Sequence, residues 1–99
     1  MKVVVGLWKV KADKREDFIA ASKAVAKASK HEAGLLSYSF SESQIEANNF
    51  VFLEEWKDDE AIAYHVSQPY FKSFIEQTKD MLVEDFTGTI YSISGMEPF

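Results

Sequence analysis

Residues 35–56 carry the sequence LLSYSFSESQIEANNFVFLEEW, a pattern that predicts two β-strands joined by a turn. In the first part, apolar residues alternate with serines, so Tyr38 and Phe40 lie on the same face of a strand. Residues 46–49 have the composition of a turn. The second part, from Phe50 to Trp56, has large apolar side chains on both faces. A strand of that kind needs cover on both sides.

The segment before this hairpin predicts a strand followed by a helix. Residues 2–11 are rich in valine, which favours a strand. Asp13, with Glu16 three residues later, has the spacing of a capping box at the start of an amphipathic helix. Gly34 is expected to adopt the left-handed conformation that ends this helix.

The segment after the hairpin predicts an interrupted helix and a last strand. Asp58 or Asp59 is expected to cap a short helix over residues 60–66. Pro69 is well placed at the first turn of a further helical segment. Residues 87–94 have the composition of a strand. The resulting order predicts an α+β fold of the ferredoxin-like type, βαββαβ, with a four-stranded antiparallel sheet and helices on one face.

The chain has the length of one domain, so we assign residues 1–99 to a single domain. In the predicted topology, helices cover only one face of the sheet, yet the first and third strands carry apolar side chains on both faces. An uncovered apolar face indicates an interaction surface. We therefore expect a homodimer in which two sheet faces pack together around a two-fold axis.

The composition argues against several classes of function. The net charge is −5, and an acidic surface repels phosphate groups, so neither nucleic-acid nor membrane binding is expected. The chain has no cysteine, which excludes disulfides and thiolate metal sites. No apolar run approaches the roughly 18 residues of a membrane span, and we expect a cytoplasmic location. Aromatic residues form 14% of the chain, so some of them are expected to line a pocket or an interface.

Two motifs carry a family resemblance. Glu32 begins the pattern E-x-G-x-x-x-Y, and residues 54–71 contain E-x-W-x4-A-x3-H-x3-P-x-F. With the order of the elements, these motifs resemble the antibiotic biosynthesis monooxygenase domain family, whose fold is a dimeric α+β barrel. The resemblance implies oxidation of polycyclic phenols, anthrones or quinols by molecular oxygen, with no flavin, haem or metal cofactor. Such a protein supplies a base, an apolar pocket and orientation.

His65 is the candidate catalytic base, because an unperturbed imidazole has a pKa of about 6.5. Ala61, four residues earlier, is expected to leave room for a ligand beside the imidazole. The alternative is a histidine that is only hydrogen-bonded at the surface or at the edge of the core. As a base outside the packed core, His65 is expected to change stability by less than about 1 kcal/mol when removed. His31 is expected only to favour the dipole of the preceding helix.

The motifs also suggest substrate contacts. Glu54 is either a second acid–base group or a strand residue paired with a lysine. Tyr70 stands where many family members have a second histidine, so it either donates a hydrogen bond or leaves proton transfer to His65 alone. Trp56 and Tyr38 are favoured because they belong to the motifs. The aromatic residues that form either a substrate pocket or ordinary core are Trp56, Tyr38, Phe52, Tyr64, Tyr70, Phe71, Phe74 and Tyr91.

Three other functions compete with an oxygenase. An isomerase or other proton-transfer enzyme acting on a small dicarbonyl would also use His65, and a phosphorylated substrate would need cations, for which only Lys57 and Lys72 are near in sequence. A haem-degrading relative would have its iron ligand near Ile75 and tryptophan at position 65, and neither matches. A non-catalytic ligand-binding dimer fits the same fold. The first strand lacks the asparagine that some oxygenase branches use.

Overall fold

A computed structural model describes residues 1–99 and confirms the α+β, ferredoxin-like fold. The sheet has the strand order β2-β3-β1-β4, and every neighbouring pair is antiparallel. Short 3-10 turns at Ala12–Lys14 and Lys79–Met81 precede α1 and follow α3. The elements in chain order are β1 (Lys2–Lys9), α1 (Arg15–Ser29), β2 (Leu35–Glu42), β3 (Asn49–Trp56), α2 (Asp59–Ser67), α3 (Pro69–Thr78) and β4 (Thr87–Ser92).

The helix starts agree only in part with the sequence signals. The Asp58 carboxylate accepts a hydrogen bond from the backbone N–H of Ala61 at 2.9 Å and caps α2, as predicted. Pro69 occupies the first turn of α3, also as predicted. The prediction that Asp13 caps α1 is wrong, because Asp13 lies within the preceding 3-10 turn and no side chain caps α1.

Gly34 is required for a close contact rather than for a left-handed turn. No glycine of the chain has a positive φ, so the predicted left-handed conformation is wrong. A Cβ atom added at Gly34 would overlap the Cβ of Ala61. The Gly34 carbonyl also accepts a hydrogen bond from the N–H of Lys57 at 2.9 Å. The small side chain of Ala61 therefore leaves room for Gly34, and Ala61 does not line the cavity beside His65 that is described below.

The main core lies between the helices and the sheet. Phe18 of α1 and Phe52 of β3 are fully buried, and Trp8 of β1 packs against both of them. These rings contact one another in tilted or edge-to-face arrangements, which aromatic pairs prefer. The core cluster consists of Trp8, Val10, Phe18, Ala21, Val25, Phe50, Phe52 and Phe74.

Two glycines face each other on the helix-covered side of the sheet. Gly6 of β1 pairs with Gly88 of β4, so two side chains are missing from adjacent positions. The indole of Trp8 lies over Gly6, where an added Cβ atom would overlap it. At Gly88 an added Cβ atom would meet nothing within 4 Å. The sheet therefore has a depression beside Trp8, and the functional cavity described below lies in it.

The opposite face of the sheet has no helix and remains apolar. Leu7, Leu53 and Tyr91 are each about half exposed there, at 51%, 48% and 51%. The alternation of β-strand side chains places them on the face away from the core. This is the face for which the sequence predicts a homodimer. No helix in the chain is both long enough and apolar enough to span a membrane.

Candidate active site

His65 lies in α2, where its imidazole is almost fully buried and held by one hydrogen bond. Its Nδ1 atom lies 2.8 Å from Oε2 of Glu32, which is also buried. The Nε2 atom has no hydrogen-bond partner within the protein, and His65 lines a partly open cavity between α2 and the sheet. Because a carboxylate at Nδ1 favours a proton on that nitrogen, Nε2 keeps its lone pair. Nε2 is therefore an unpartnered, buried proton acceptor on a residue that lines the cavity.

Tyr70 holds the Glu32 carboxylate in place. Its hydroxyl donates a 2.5 Å hydrogen bond to the same Oε2 atom that contacts His65. Desolvation and the hydrogen bond to Glu32 raise the pKa of Tyr70, so the phenol keeps its proton and remains a donor. Of the two roles considered for Tyr70, the structure therefore shows the hydrogen-bond donor, directed at Glu32.

Glu54 is a second ionisable group on the same cavity. Its Oε1 atom accepts a 2.9 Å hydrogen bond from Nε1 of Trp56, and its side chain is buried in β3. Burial raises the pKa of Glu54 to about 7, and the nearby charge of Glu32 acts in the same direction. No lysine forms an ion pair with Glu54, so the alternative of a lysine-paired strand residue is wrong. At neutral pH, this carboxyl is poised to give or to take a proton.

The remaining walls of the cavity are apolar. Its volume is about 190 Å³, and seven of its eleven lining residues are hydrophobic. No lysine or arginine lines it, so Glu54 and His65 are its only ionisable groups. Large side chains on its walls are Trp8, Ile62, Val66, Phe71, Phe86 and Ile90.

Three of the predicted aromatic residues pack around the imidazole of His65. The centroids of the Trp56, Phe71 and Tyr38 rings lie 4.7, 5.0 and 5.8 Å from that of His65. Burial raises the pKa of Tyr38, so its phenol stays neutral. Among these three, only Phe71 also lines the cavity. Trp56 and Tyr38 therefore support the His65 side chain from behind.

The other predicted aromatic contacts lie elsewhere. Phe52 and Phe74 belong to the core cluster, because their positions in β3 and α3 point toward Trp8. Tyr64 is 54% exposed and lines a separate cleft, which is described below as the outer cleft. Tyr91 lies on the uncovered face of the sheet. None of these four residues lines the cavity beside His65.

The burial of His65 also corrects an expectation. Only 2% of this residue is exposed, and its loss would leave the buried Glu32 carboxylate with one hydrogen-bond partner fewer, Tyr70 alone remaining. Removing such a partner costs about 1–3 kcal/mol, which exceeds the small change expected from the sequence. His31 is exposed and takes no part in the cavity.

An outer cleft lies on the other side of Glu32. Its volume is about 480 Å³, and its lining includes Glu32, Lys57 and Asp58. Glu32 thus borders the outer cleft and contacts His65, which borders the inner cavity. No group of three or more His, Cys, Asp or Glu side chains has the arrangement of a metal site.

Sequence comparisons agree with this architecture. The family described as "Antibiotic biosynthesis monooxygenase" matches residues 1–77. The Bacillus subtilis protein named "Putative monooxygenase YcnE" is 35% identical over 82 residues, which cover 83% of this chain and 86% of that protein. The Synechocystis "Uncharacterized protein sll1783" is 44% identical over 92 residues, or 93% of this chain. The chain spans 63% of the length of that relative.

Solved structures share the same fold. A structure titled "Putative antibiotic biosynthesis monooxygenase from Nitrosomonas europaea" is 25% identical, with a TM-score of 0.91 over 96% of this chain and 100% of that chain. A Deinococcus radiodurans structure of the same description is 23% identical, with a TM-score of 0.94 over 100% of this chain and 98% of that chain. The second likeness concerns the fold alone.

Proposed function

The chain belongs to the antibiotic biosynthesis monooxygenase family, and from that premise we propose that it oxidises an electron-rich phenol, quinol or similar enolisable compound with molecular oxygen. The observation that carries this proposal is the geometry of His65. Its Nε2 atom is buried and unpartnered, His65 lines a largely apolar cavity, and Glu32 holds the imidazole at Nδ1. The substrate itself supplies the electrons, and the protein supplies the base.

The first step is removal of the hydroxyl proton of the substrate by Nε2 of His65. Glu32 stabilises the imidazolium that forms, because its carboxylate accepts from Nδ1. A base positioned in this way contributes about 10²–10⁴-fold to a rate. The largely apolar lining displaces water from the part of the substrate that it covers, which strengthens the interaction of the substrate with the imidazolium.

Oxidation then follows from the phenolate. One electron passes from the phenolate to O₂, and the phenoxyl radical and superoxide combine to form a carbon–oxygen bond at the ring. The imidazolium of His65 returns its proton to the distal oxygen, which gives a hydroperoxide. Cleavage of the O–O bond with loss of the ring hydrogen leaves a carbonyl and one water. One oxygen atom of O₂ thus enters the product, and the other leaves as water with two hydrogens from the substrate.

A second candidate is a proton-transfer enzyme that isomerises a small dicarbonyl. The observation that favours it is the presence of both His65 and Glu54 on one cavity, because enolisation needs a base and an acid. The absence of lysine and arginine from the cavity lining argues against a phosphorylated substrate, whose charge would have no partner.

The assembly that we propose is a homodimer formed through the uncovered sheet face. Leu7, Leu53 and Tyr91 together present an apolar surface on that face. A second copy of the chain offers the same surface, as a two-fold interface requires. The cavity lies on the opposite side of the sheet, so each subunit carries its own candidate site.

Oxygen consumption by the purified protein tests the oxygenase. With 1,4-hydroquinone as substrate, we expect one O₂ consumed for each hydroxyquinone formed, with no hydrogen peroxide. Uncatalysed autoxidation yields peroxide instead, so the peroxide assay separates the two. If neither this quinol nor any phenol or anthrone of a panel causes oxygen uptake above the background, the oxygenase proposal is wrong. Exchange of carbon-bound hydrogen of a dicarbonyl with solvent deuterium, without oxygen uptake, would establish the isomerase.

A further inference from the structure

The size of the cavity is set by a few residues that the sequence motifs do not include. At the Gly6–Gly88 pair the sheet surface has no side chains. The indole of Trp8 fills the space over Gly6. Phe86, in the segment before β4, stacks on this indole, with ring centroids 4.6 Å apart and planes 7° from parallel. The open space is what remains beside Gly88.

The volume indicates the size of the ligand. The cavity measures about 190 Å³. An apolar cavity of about 150 Å³ holds one benzene molecule. The space beside Gly88 therefore holds one aromatic ring, whereas the further rings of an anthrone would have to project past Phe86 and Ile90 toward solvent.

We propose that Phe86 and Gly88 are specificity-determining residues, which restrict the site to a single-ring quinol and reject polycyclic phenols. This inference deepens the proposed function and rests on it for the identity of the site. In this proposal the aromatic ring of the quinol lies over Gly88 and beside Trp8, because a planar ring needs a surface without a side chain at that position.

The polar groups of the cavity match the two hydroxyls of a quinol. Nε2 of His65 is an unpartnered acceptor, and the Glu54 carboxyl is the only other ionisable group on the lining. A ligand with a second hydroxyl offers a hydrogen bond to each group, whereas a phenol with one hydroxyl offers a hydrogen bond to only one of them. The additional hydrogen bond raises affinity, which favours the quinol.

Among the large side chains that line the cavity, Phe86 is the one whose substitution disturbs the packing of the core least. The residue is 38% exposed and lies outside the regular elements, so its loss opens the cavity beside Trp8 without opening the core around Phe52. Gly88 permits the reverse change, because a side chain there meets no atom of the protein and projects into the open space.

The test measures binding under nitrogen, so that it does not depend on oxidation. Isothermal titration calorimetry compares 1,4-hydroquinone, 1,4-dihydroxynaphthalene and anthrone with the wild type, Phe86→Ala, Phe86→Leu and Gly88→Val. We expect the wild type to bind hydroquinone at least about tenfold more tightly than anthrone, the discrimination that a small misfit in an apolar pocket produces. We expect Phe86→Ala to improve binding of the two-ring ligand by about tenfold and Phe86→Leu to improve it less. Gly88→Val should weaken hydroquinone binding by about tenfold or more.

Phe99→Ala is the matched control, because Phe99 is fully exposed and does not line the cavity. It should leave all three affinities unchanged, and circular dichroism should show that every variant is folded. Equal binding of anthrone and hydroquinone by the wild type, no binding of hydroquinone, or an unchanged preference in the folded Phe86 variants would overturn the inference. Size-selective binding without oxygen uptake would instead refute only the oxygenase proposal.

Discussion

Nδ1 of His65 and Oε2 of Glu32 lie 2.8 Å apart, although 33 positions separate the two residues in the chain. Both side chains are almost fully buried. This contact joins α2 to the segment between α1 and β2 and fixes the direction in which the imidazole presents Nε2. The geometry gives Glu32 the role of a positioning residue, which acts through His65 without lining the inner cavity.

Glu32→Gln is expected to lower kcat by about tenfold or more, with little change in the affinity for hydroquinone. An amide can donate or accept at Nδ1, so the imidazole is no longer held with its lone pair at Nε2. Steady-state kinetics and anaerobic titration separate kcat from binding. Glu55→Gln, on the uncovered sheet face, is the control. Equal losses in kcat and in affinity would show a structural role only.

Tyr70→Phe is expected to destabilise the fold by about 1–2 kcal/mol, because the Glu32 carboxylate loses a buried hydrogen bond. Urea denaturation followed by tryptophan fluorescence measures this difference. Tyr64→Phe serves as the matched control, since Tyr64 is about half exposed and its hydroxyl makes no hydrogen bond to another side chain. An unchanged stability for Tyr70→Phe would show that its hydroxyl does not hold Glu32 in solution.

The pKa of Glu54, raised by burial to about 7 from 4.5, predicts that stability falls with rising pH. Between these two values the folded protein binds a proton that the unfolded chain releases. The contribution is therefore complete below about pH 4.5 and is lost as the pH rises through about 7. We expect the loss to be on the order of 3 kcal/mol, since the pKa rises from 4.5 to about 7 and one pKa unit corresponds to about 1.4 kcal/mol.

Glu54→Gln removes this titration and tests it. The variant should be more stable relative to the wild type at pH 8 than at pH 5, as measured by urea denaturation at both values. A stability difference between the two proteins that does not change with pH would show that the carboxyl titrates in its ordinary range.

The apolar sheet face predicts a dimer that charge can disrupt. Light scattering of the wild type at micromolar concentration should give twice the chain mass of 11.3 kDa. Leu53→Lys places a charge in the proposed interface and should give the monomer mass. Leu36→Lys is the control, because Leu36 is also about half exposed, at 57% against 48% for Leu53, but lies at the irregular position of β2, the edge strand. A wild-type mass of one chain would contradict the dimer.

The fold could be predicted because its signals are local. The alternation around Tyr38 and the position of Pro69 depend on neighbouring residues, and both predictions are confirmed. The prediction that Asp13 caps α1 is wrong because a 3-10 turn precedes α1. The capping pattern in the sequence does not distinguish the start of an α-helix from that of a 3-10 helix. The predicted left-handed conformation of Gly34 is wrong because glycine is needed there for the close contact with Ala61, which is distant in sequence.

The site could be predicted only where a motif marks it. His65, Glu54 and Phe71 come together on the cavity, and all three belong to one motif. The role of Glu32 requires knowledge of a contact across 33 positions. Likewise, the Gly6–Gly88 pair is visible only from the register between the first and last strands. Phe52 and Phe74 look like pocket residues by composition, and only packing shows that they belong to the core.

The most direct test of the account is oxygen uptake by His65→Gln with the quinol that the wild type oxidises. Glutamine keeps a polar group near Glu32, and circular dichroism shows whether the variant is folded. We expect the rate per folded molecule to fall by about 10²–10⁴-fold, the contribution of a positioned base. A folded variant that consumes oxygen at the wild-type rate would contradict the central claim that His65 is the catalytic base.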